Sequence, residues 1–168
     1  MLLGVPLQTA YVTTDIARAC TMLGDKYGMT QFLRYGPATF PTDAGESMTL
    51  NLAHGWLGST WFEIIEPVAG AVAIYRDWLP ADGFGLRFHH IGIRLPDLDT
   101  WDRTKKSAEK TGHPVVFTMT SKDLPSRVFY IDTVKDLGHY IEYLYFSDVA
   151  KSTLPKIPQN IKGFEAVY

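Results

Sequence analysis

The fold is decided by residues 90–97, HIGIRLPD, because the same pattern occurs at residues 8–15, QTAYVTTD, which begin 82 positions earlier. Both stretches are typical of a strand, in which alternate side chains share a face. Each stretch ends in an aspartate, Asp15 or Asp97, seven positions after its first residue. Aspartate is a preferred N-cap residue, so a helix is predicted to begin after each strand. The chain is therefore predicted to contain two copies of one structural module.

Each copy continues with a helical pattern and then with three segments typical of strands. In the first copy a strand followed by a loop is predicted within residues 34–47, and further strands at 48–52 and 60–65. In the second copy strands are predicted at 114–119, 127–131 and 140–146. We therefore predict an α+β fold of two repeated βαβββ modules that form a cupped half-barrel mixed sheet.

The predicted organisation is a single domain over residues 1–168. It consists of one module at 5–66, a second module at 87–147, a connector at 67–86 and a C-terminal tail at 148–168. The connector contains an apolar segment, residues 72–79, that could form a short helix before Pro80. The tail contains Pro155 and Pro158 and lies outside the repeat, as an arm over a site or over a partner subunit would.

Composition limits the classes of function. The chain is 46% hydrophobic and 20% charged, which is ordinary for a globular domain. Its net charge of −2 provides no basic field, so neither nucleic acid nor a membrane surface is an expected partner. Cys20 is the single cysteine, which excludes an internal disulfide and favours a reducing compartment, so a cytoplasmic location is expected. Cys20 occupies an apolar helical position and is expected to pack rather than react.

Polar residues recur at matching places in the strands of both copies. Gln8 and His90 occupy the first strands, and Glu63 and Glu142 occupy the last. A carboxylate within an apolar strand is costly to bury unless it is paired or binds a metal. Taken singly, each of these residues is more often structural, and the repetition is what favours a site. The remaining histidines, apart from His89, stand near turn residues and are predicted to be solvated; they are His54, His113 and His139.

These features resemble the vicinal oxygen chelate superfamily. It includes glyoxalase I, methylmalonyl-CoA epimerase, extradiol dioxygenases and fosfomycin- and bleomycin-resistance proteins. Residues 83–92 and 136–142 carry the most specific part of the resemblance. By position, the resemblance implies a divalent metal ion held by Gln8, Glu63, His90 and Glu142. Three oxygen ligands and one nitrogen suit Co²⁺, Ni²⁺, Mn²⁺, Zn²⁺ or Mg²⁺.

The resemblance also implies a reaction. An open metal site would polarise a substrate carbonyl group, and a carboxylate would then remove a proton from the adjacent carbon. Glu142 is the expected proton carrier, and Glu46, seventeen residues before Glu63, is a second candidate base. The substrate is expected to be a small molecule with a carbonyl group. Four further residues are candidates for binding it: Arg94, Arg127, Trp56 and Tyr145.

Local departures distinguish between branches of the superfamily. Ring-cleaving dioxygenases of this fold use a His–His–Glu set, whereas Gln8 stands where the first histidine would be. The glyoxalase I positions that hold glutathione are occupied here by Val12 and Pro67. Residues 63–67, EIIEP, and residues 83–91 resemble the acyl-CoA epimerase branch, which favours an epimerase, isomerase or lyase. The alternative is a protein that sequesters a small molecule, with or without metal, and a homodimer is expected in either case.

Overall fold

The structure is a computed structural model, and it describes residues 4–120 and 126–165. Packing groups these residues into two units. The first unit consists of Gln8–Phe40, Ser47–His89 and residues 155–165. The second unit consists of residues 4–7, Pro41–Glu46 and the described part of His90–Leu154. The prediction of a single domain with modules at 5–66 and 87–147 stays a prediction.

The order of elements follows the predicted repeat. In the first copy the elements are β1 (Val5–Thr13), α1 (Ile16–Tyr27), β2 (Leu33–Pro41), β3 (Ser47–Leu57) and β4 (Thr60–Gly70), followed by the connector helix α2 (Ala73–Arg76). In the second copy they are β5 (Leu86–Arg94), α3 (Leu98–Lys110), β6 (Val115–Thr120), β7 (Ser126–Ile131), α4 (Val134–Leu137), β8 (Tyr140–Phe146) and α5 (Asp148–Thr153). The predicted α+β fold with two βαβββ modules and a mixed sheet is confirmed.

The strand order is the same in both copies. In the first copy it is β2-β3-β4-β1, with β1 parallel and β3 antiparallel to β4. In the second copy it is β6-β7-β8-β5, with β5 parallel and β7 antiparallel to β8. The first strand of each copy therefore lies beside the last, which places the equivalent pairs Gln8/Glu63 and His90/Glu142 on adjacent strands.

Helix α1 begins where the sequence predicts, after Asp15, and ends at Gly28. The Asp15 carboxylate accepts a hydrogen bond from the Arg18 N–H at 2.9 Å, and Gly28 ends the helix at a φ of 74°. The apolar side of α1 packs against one face of β3 and β4, through Ile16, Ala19, Leu23, Ala53, Phe62 and Ile64. Cys20 is half-buried beside this core, as expected for a packing residue.

Helix α3 repeats the arrangement in the second unit. The Thr100 N–H donates to the Asp97 carboxylate at 2.6 Å, and this hydrogen bond lowers the pKa of Asp97. The core beneath α3 is formed by Ile93, Leu95, Trp101, Ala108, Phe129, Ile131, Ile141 and Tyr143. In each unit one face of the strands is therefore covered by its helix, and alternate side chains point to the opposite face.

Several strands are longer than the sequence indicates. β3 continues to Leu57 and β4 to Gly70, although Pro67 lacks a backbone donor. A β-bulge between Thr49 and Leu50 shifts the register where Pro67 pairs, which allows the strand to continue. The connector helix α2 is shorter than predicted and ends at Arg76.

The tail after α5 lies along the first unit. The Trp56 N–H donates to the Pro158 carbonyl at 2.8 Å, and the Asn160 N–H donates to the Trp56 carbonyl at 2.9 Å. The Gln159 side chain bonds the N–H and the carbonyl of Gly58. The tail thus adds a short parallel bridge to β3. Over the described ranges, every helix is too short or too polar to cross a bilayer.

Candidate functional site

One sheet face of the first unit carries Gln8 and Glu63, two of the four polar residues that the repeat indicates. In the β-sheet register Gln8 pairs with Trp61, while Glu63 pairs with Ala10 on one side and His54 on the other. Paired residues of adjacent strands point to the same face, and residues two apart do so as well. Gln8, Glu63 and His54 therefore share the face opposite α1.

His54 and Glu63 form a buried pair on this face. His54 Nε2 lies 3.0 Å from Glu63 Oε1, and the side chains are 7% and 12% exposed. Rings border the imidazole edge-on: the Tyr35 centroid lies 5.3 Å away and the Trp61 centroid 5.1 Å away. Burial, and next the Glu63 charge, raise the pKa of the Tyr35 phenol. The prediction that His54 is solvated is wrong, because β3 continues past the turn that the sequence suggested.

Gln8 contributes a buried acceptor to the same face. The residue is 5% exposed, and its Oε1 atom has no hydrogen-bond partner among the described residues. A buried amide oxygen without a donor costs free energy, and such groups are rare in folded proteins. A cation is one species that would satisfy this oxygen.

The second unit brings together the other predicted pair. His90 Nε2 lies 3.2 Å from Glu142 Oε2, with side chains 0% and 6% exposed. Glu142 pairs in register with Gly92 on β5 and with Tyr130 on β7. The Tyr130 ring lies edge-on to the His90 imidazole at 5.0 Å. This unit thus places an imidazole and a carboxylate side by side, away from water.

His89 points to the opposite face of β5 and has another role. Its Nε2 atom lies 2.9 Å from the Ile74 carbonyl oxygen, and the Tyr75 and Trp78 rings lie 5.1 and 5.3 Å away. His89 therefore anchors the connector to the first unit. His139 is half-buried, and its Nδ1 atom lies 2.8 Å from the Tyr140 carbonyl oxygen, so it is not a freely solvated side chain.

Two predicted substrate-binding residues, Arg127 and Tyr145, lie on the sheet face opposite Glu142. Arg127 and Tyr145 pair in register, and both alternate with the residues that share the Glu142 face. The Arg127 guanidinium lies 5.5 Å from the Trp101 ring centroid, and Tyr145 packs against the core beneath α3. Both residues therefore lie on the helix side of β7 and β8, and their binding of substrate stays a prediction.

The other predicted site residues have mixed placements. Arg94 is half-buried and shares the His90 face of β5. Trp56 shares the Glu63 face but is 0% exposed beneath the tail, so it packs as a core residue. Glu46 is exposed at the end of a turn whose Thr42 N–H donates to the Glu46 carbonyl.

A separate cavity lies on the α1 side of the first unit. It has a volume of about 650 Å³. Its lining is mostly apolar: Tyr11, Met22, Leu23, Tyr27, Met29, Leu57, Phe62, Phe84, Leu86 and Arg87. Pockets of this size accommodate small organic molecules. Because Tyr11 and Phe62 alternate with Gln8 and Glu63, this cavity does not contain the polar face.

The residues fit a divalent metal by donor chemistry. Gln8 offers an unsatisfied buried oxygen, Glu63 and Glu142 offer carboxylates, and His90 offers an imidazole nitrogen. Within the described ranges, no three histidine, cysteine, aspartate or glutamate side chains form a cluster that could hold a metal. The donors thus occur as two pairs, Gln8 with Glu63 in the first unit and His90 with Glu142 in the second.

Comparison with solved structures gives consistent matches. A Streptomyces coelicolor methylmalonyl-CoA epimerase variant in complex with 2-nitronate-propionyl-CoA matches at a TM-score of 0.55 and 16% identity, over 86% of this chain and 99% of that chain. This chain has the vicinal oxygen chelate fold. Another epimerase, in complex with methylmalonyl-CoA and NH4+, matches at 0.56 and 16% identity, over 88% and 97% of the two chains. The Mycobacterium tuberculosis epimerase matches at 0.53 and 16% identity, over 91% and 97%.

Sequence comparison adds no closer relative. No family model matches the chain, and no curated protein matches it. At 16% identity the likeness to the epimerases is one of fold. Function therefore has to be argued from the residues of the vicinal oxygen chelate fold in this chain.

Proposed function

We propose that the protein is a divalent-metal-dependent enzyme that removes a proton from a carbon next to a carbonyl group, as an epimerase, isomerase or lyase. The observation that carries the proposal is the buried Gln8 oxygen without a donor, on the same face as Glu63. The equivalent strand positions of the second unit hold His90 and Glu142. The repeat therefore supports Gln8, Glu63, His90 and Glu142 as the metal ligands.

The proposed chemistry divides between the metal and the chain. A bound Co²⁺, Ni²⁺, Mn²⁺, Zn²⁺ or Mg²⁺ ion would stabilise negative charge that develops on the substrate oxygen. Glu142 is the proposed proton carrier, because its carboxylate lies among apolar strands beside an imidazole. Arg94, on the His90 face, would bind an anionic part of the substrate. Glu46 is the weaker candidate base, since it lies on an exposed turn.

The substrate class follows from the same chemistry. Two of the epimerase structures with this fold contain methylmalonyl-CoA and 2-nitronate-propionyl-CoA, which are both acyl-CoA compounds. Acyl-CoA thioesters and 2-oxo acids are therefore the first compounds to test. The proposal includes a cytoplasmic homodimer, for which the single cysteine supports the reducing compartment.

Metal binding and proton exchange test the proposal together. Protein purified without a chelating column is expected to contain about one divalent ion per chain. In D2O it should incorporate deuterium into the acidic carbon of a thioester or 2-oxo compound, and a chelator should stop this exchange. Glu142→Gln should reduce metal content and exchange, whereas Glu109→Gln, at an exposed position of α3, should leave both unchanged. Absence of both bound metal and exchange would overturn the proposal.

A small-molecule sequestering protein is the second candidate function. The observation that favours it is the largely apolar cavity of about 650 Å³ on the α1 side of the first unit. Native mass spectrometry distinguishes the two functions. A retained organic ligand in protein that contains no metal would favour sequestration, and a retained metal ion with no organic ligand would favour the enzyme.

A further inference from the structure

The imidazole of His54 is held in one orientation beside Glu63. Its Nε2 atom lies 3.0 Å from Glu63 Oε1, and the residue is 5% exposed. The Tyr35 and Trp61 rings meet the imidazole edge-on, at interplanar angles of 84° and 75°. An imidazole bordered by two rings and hydrogen-bonded at one end has little freedom to rotate.

This contact fixes the carboxylate as well as the histidine. When the carboxylate is ionised it only accepts hydrogen bonds, and the hydrogen between the two atoms is then carried by His54 Nε2. A bond to one named oxygen sets the rotation of the carboxylate plane about its terminal carbon–carbon bond. Partners that orient a ligand in this way commonly determine how well a site binds its metal.

The second unit places a comparable residue at the same position. His54 on β3 pairs in register with Glu63, and Tyr130 on β7 pairs in register with Glu142. Both are aromatic side chains that carry a hydrogen-bonding group, and both are buried. The two copies therefore preserve the position opposite the glutamate as a polar aromatic residue, although most neighbouring residues differ between them.

We propose that His54 is a positioning residue, which holds the Glu63 carboxylate in the orientation that binds the divalent metal. The inference rests on the proposed function, since it requires that Glu63 is a metal ligand. It assigns to His54 a role that does not involve contact with the substrate. The role predicts a specific loss of metal affinity when the Nε2 donor is removed.

Paired substitutions at His54 test the role. His54→Phe keeps a ring in place but removes the donor, and Co²⁺ affinity measured by calorimetry should fall by about 10- to 100-fold. His54→Gln keeps an N–H at a similar distance and should recover most of that affinity. His113→Gln, at a half-buried histidine outside both polar faces, is the matched control and should bind Co²⁺ like the wild type.

A readout without metal accompanies the affinity measurement. In nitrogen-15 histidine spectra of the metal-free protein, His54 should show a hydrogen on Nε2 whose resonance shifts in Glu63→Gln. Equal Co²⁺ affinity in wild type and His54→Phe would overturn the positioning role while leaving the proposed function intact. Wild-type protein that binds no divalent ion would overturn both, and the spectra would then report only a structural pair.

Discussion

The buried amide of Gln8 is expected to lower the free energy of unfolding. Its buried Oε1 atom has no hydrogen-bond partner among the described residues, and it shares a sheet face with Glu63. A packing requirement alone would be met equally well by an apolar residue of similar size. An amide at this position is what the proposed metal site requires, because a bound ion would satisfy the oxygen.

Replacing Gln8 should separate stability from metal binding. Gln8→Met removes the unsatisfied oxygen while keeping a similar side-chain volume. The free energy of unfolding of the metal-free protein should therefore rise by about 1 kcal/mol. The stabilisation that Co²⁺ gives to the wild type should be lost in the variant. Urea titrations with and without Co²⁺ measure both effects.

The control for this experiment is Gln31→Met, because Gln31 is exposed. It should change the free energy of unfolding by less than about 0.5 kcal/mol and leave the metal effect unaltered. If metal-free Gln8→Met protein is less stable than metal-free wild-type protein, the Gln8 amide has a structural partner.

At the scale of elements, the tail acts as part of the first unit. The Asn160 side chain donates to the Gln31 carbonyl at 2.9 Å and accepts from the Gln31 N–H at 2.9 Å. Its own N–H donates to the Trp56 carbonyl, so the residue links the tail to β3 and to the segment after α1. The tail therefore covers the strand that carries His54.

Loss of the Asn160 side chain should loosen this strand. Asn160→Ala removes both side-chain hydrogen bonds to Gln31, and the free energy of unfolding should fall by about 1–2 kcal/mol. Hydrogen exchange at the Trp56 amide should accelerate in the variant. Lys156→Ala, at an exposed tail position, is the control and should change neither quantity. Unchanged exchange in Asn160→Ala would show that Pro158 and Gln159 suffice to hold the tail.

The elements also show why the sequence predicts some side-chain placements and not others. The repeat predicts equivalent pairs, Gln8/Glu63 and His90/Glu142, and the structure places each pair on adjacent strands, because strand, cap and helix recur at fixed spacing in the sequence. His54 was missed because Gly55 and Gly58 suggested a turn, whereas β3 continues to Leu57. Leu50, Leu52 and His54 alternate along β3, so extending the strand to Leu57 puts His54 on the same face as these two leucines.

The sheet face to which a side chain points is the second property that the sequence does not predict. The chemistry of Arg127 and Tyr145 suits substrate binding, but strand register places both on the side of β7 and β8 that α3 covers. The register of a strand depends on tertiary pairing, which a single sequence specifies only through its apolar pattern. In these two strands apolar and aromatic residues occupy both faces, so the pattern does not distinguish them.

At the scale of the whole molecule, charge is the property that the sequence determines directly. The formal net charge is −2 at pH 7, and the isoelectric point is about 6.2. Solubility should therefore pass through a minimum near pH 6 and recover by about pH 8, because like charge keeps molecules apart. Light scattering across this pH range measures the effect. A minimum displaced to alkaline pH would indicate that bound cations change the net charge of the protein.

The half-buried thiol of Cys20 offers a way to observe the first unit in its native state. Because the chain has one cysteine, a maleimide would label a single position without any substitution. Burial raises the pKa of this thiol, so the reactive thiolate is scarce and labelling should depend on local opening of α1. Helix α1 packs on β3 and β4, the strands that carry His54 and Glu63. If labelling becomes slower after metal is added, metal binding on one face of these strands restrains the helix on the other face.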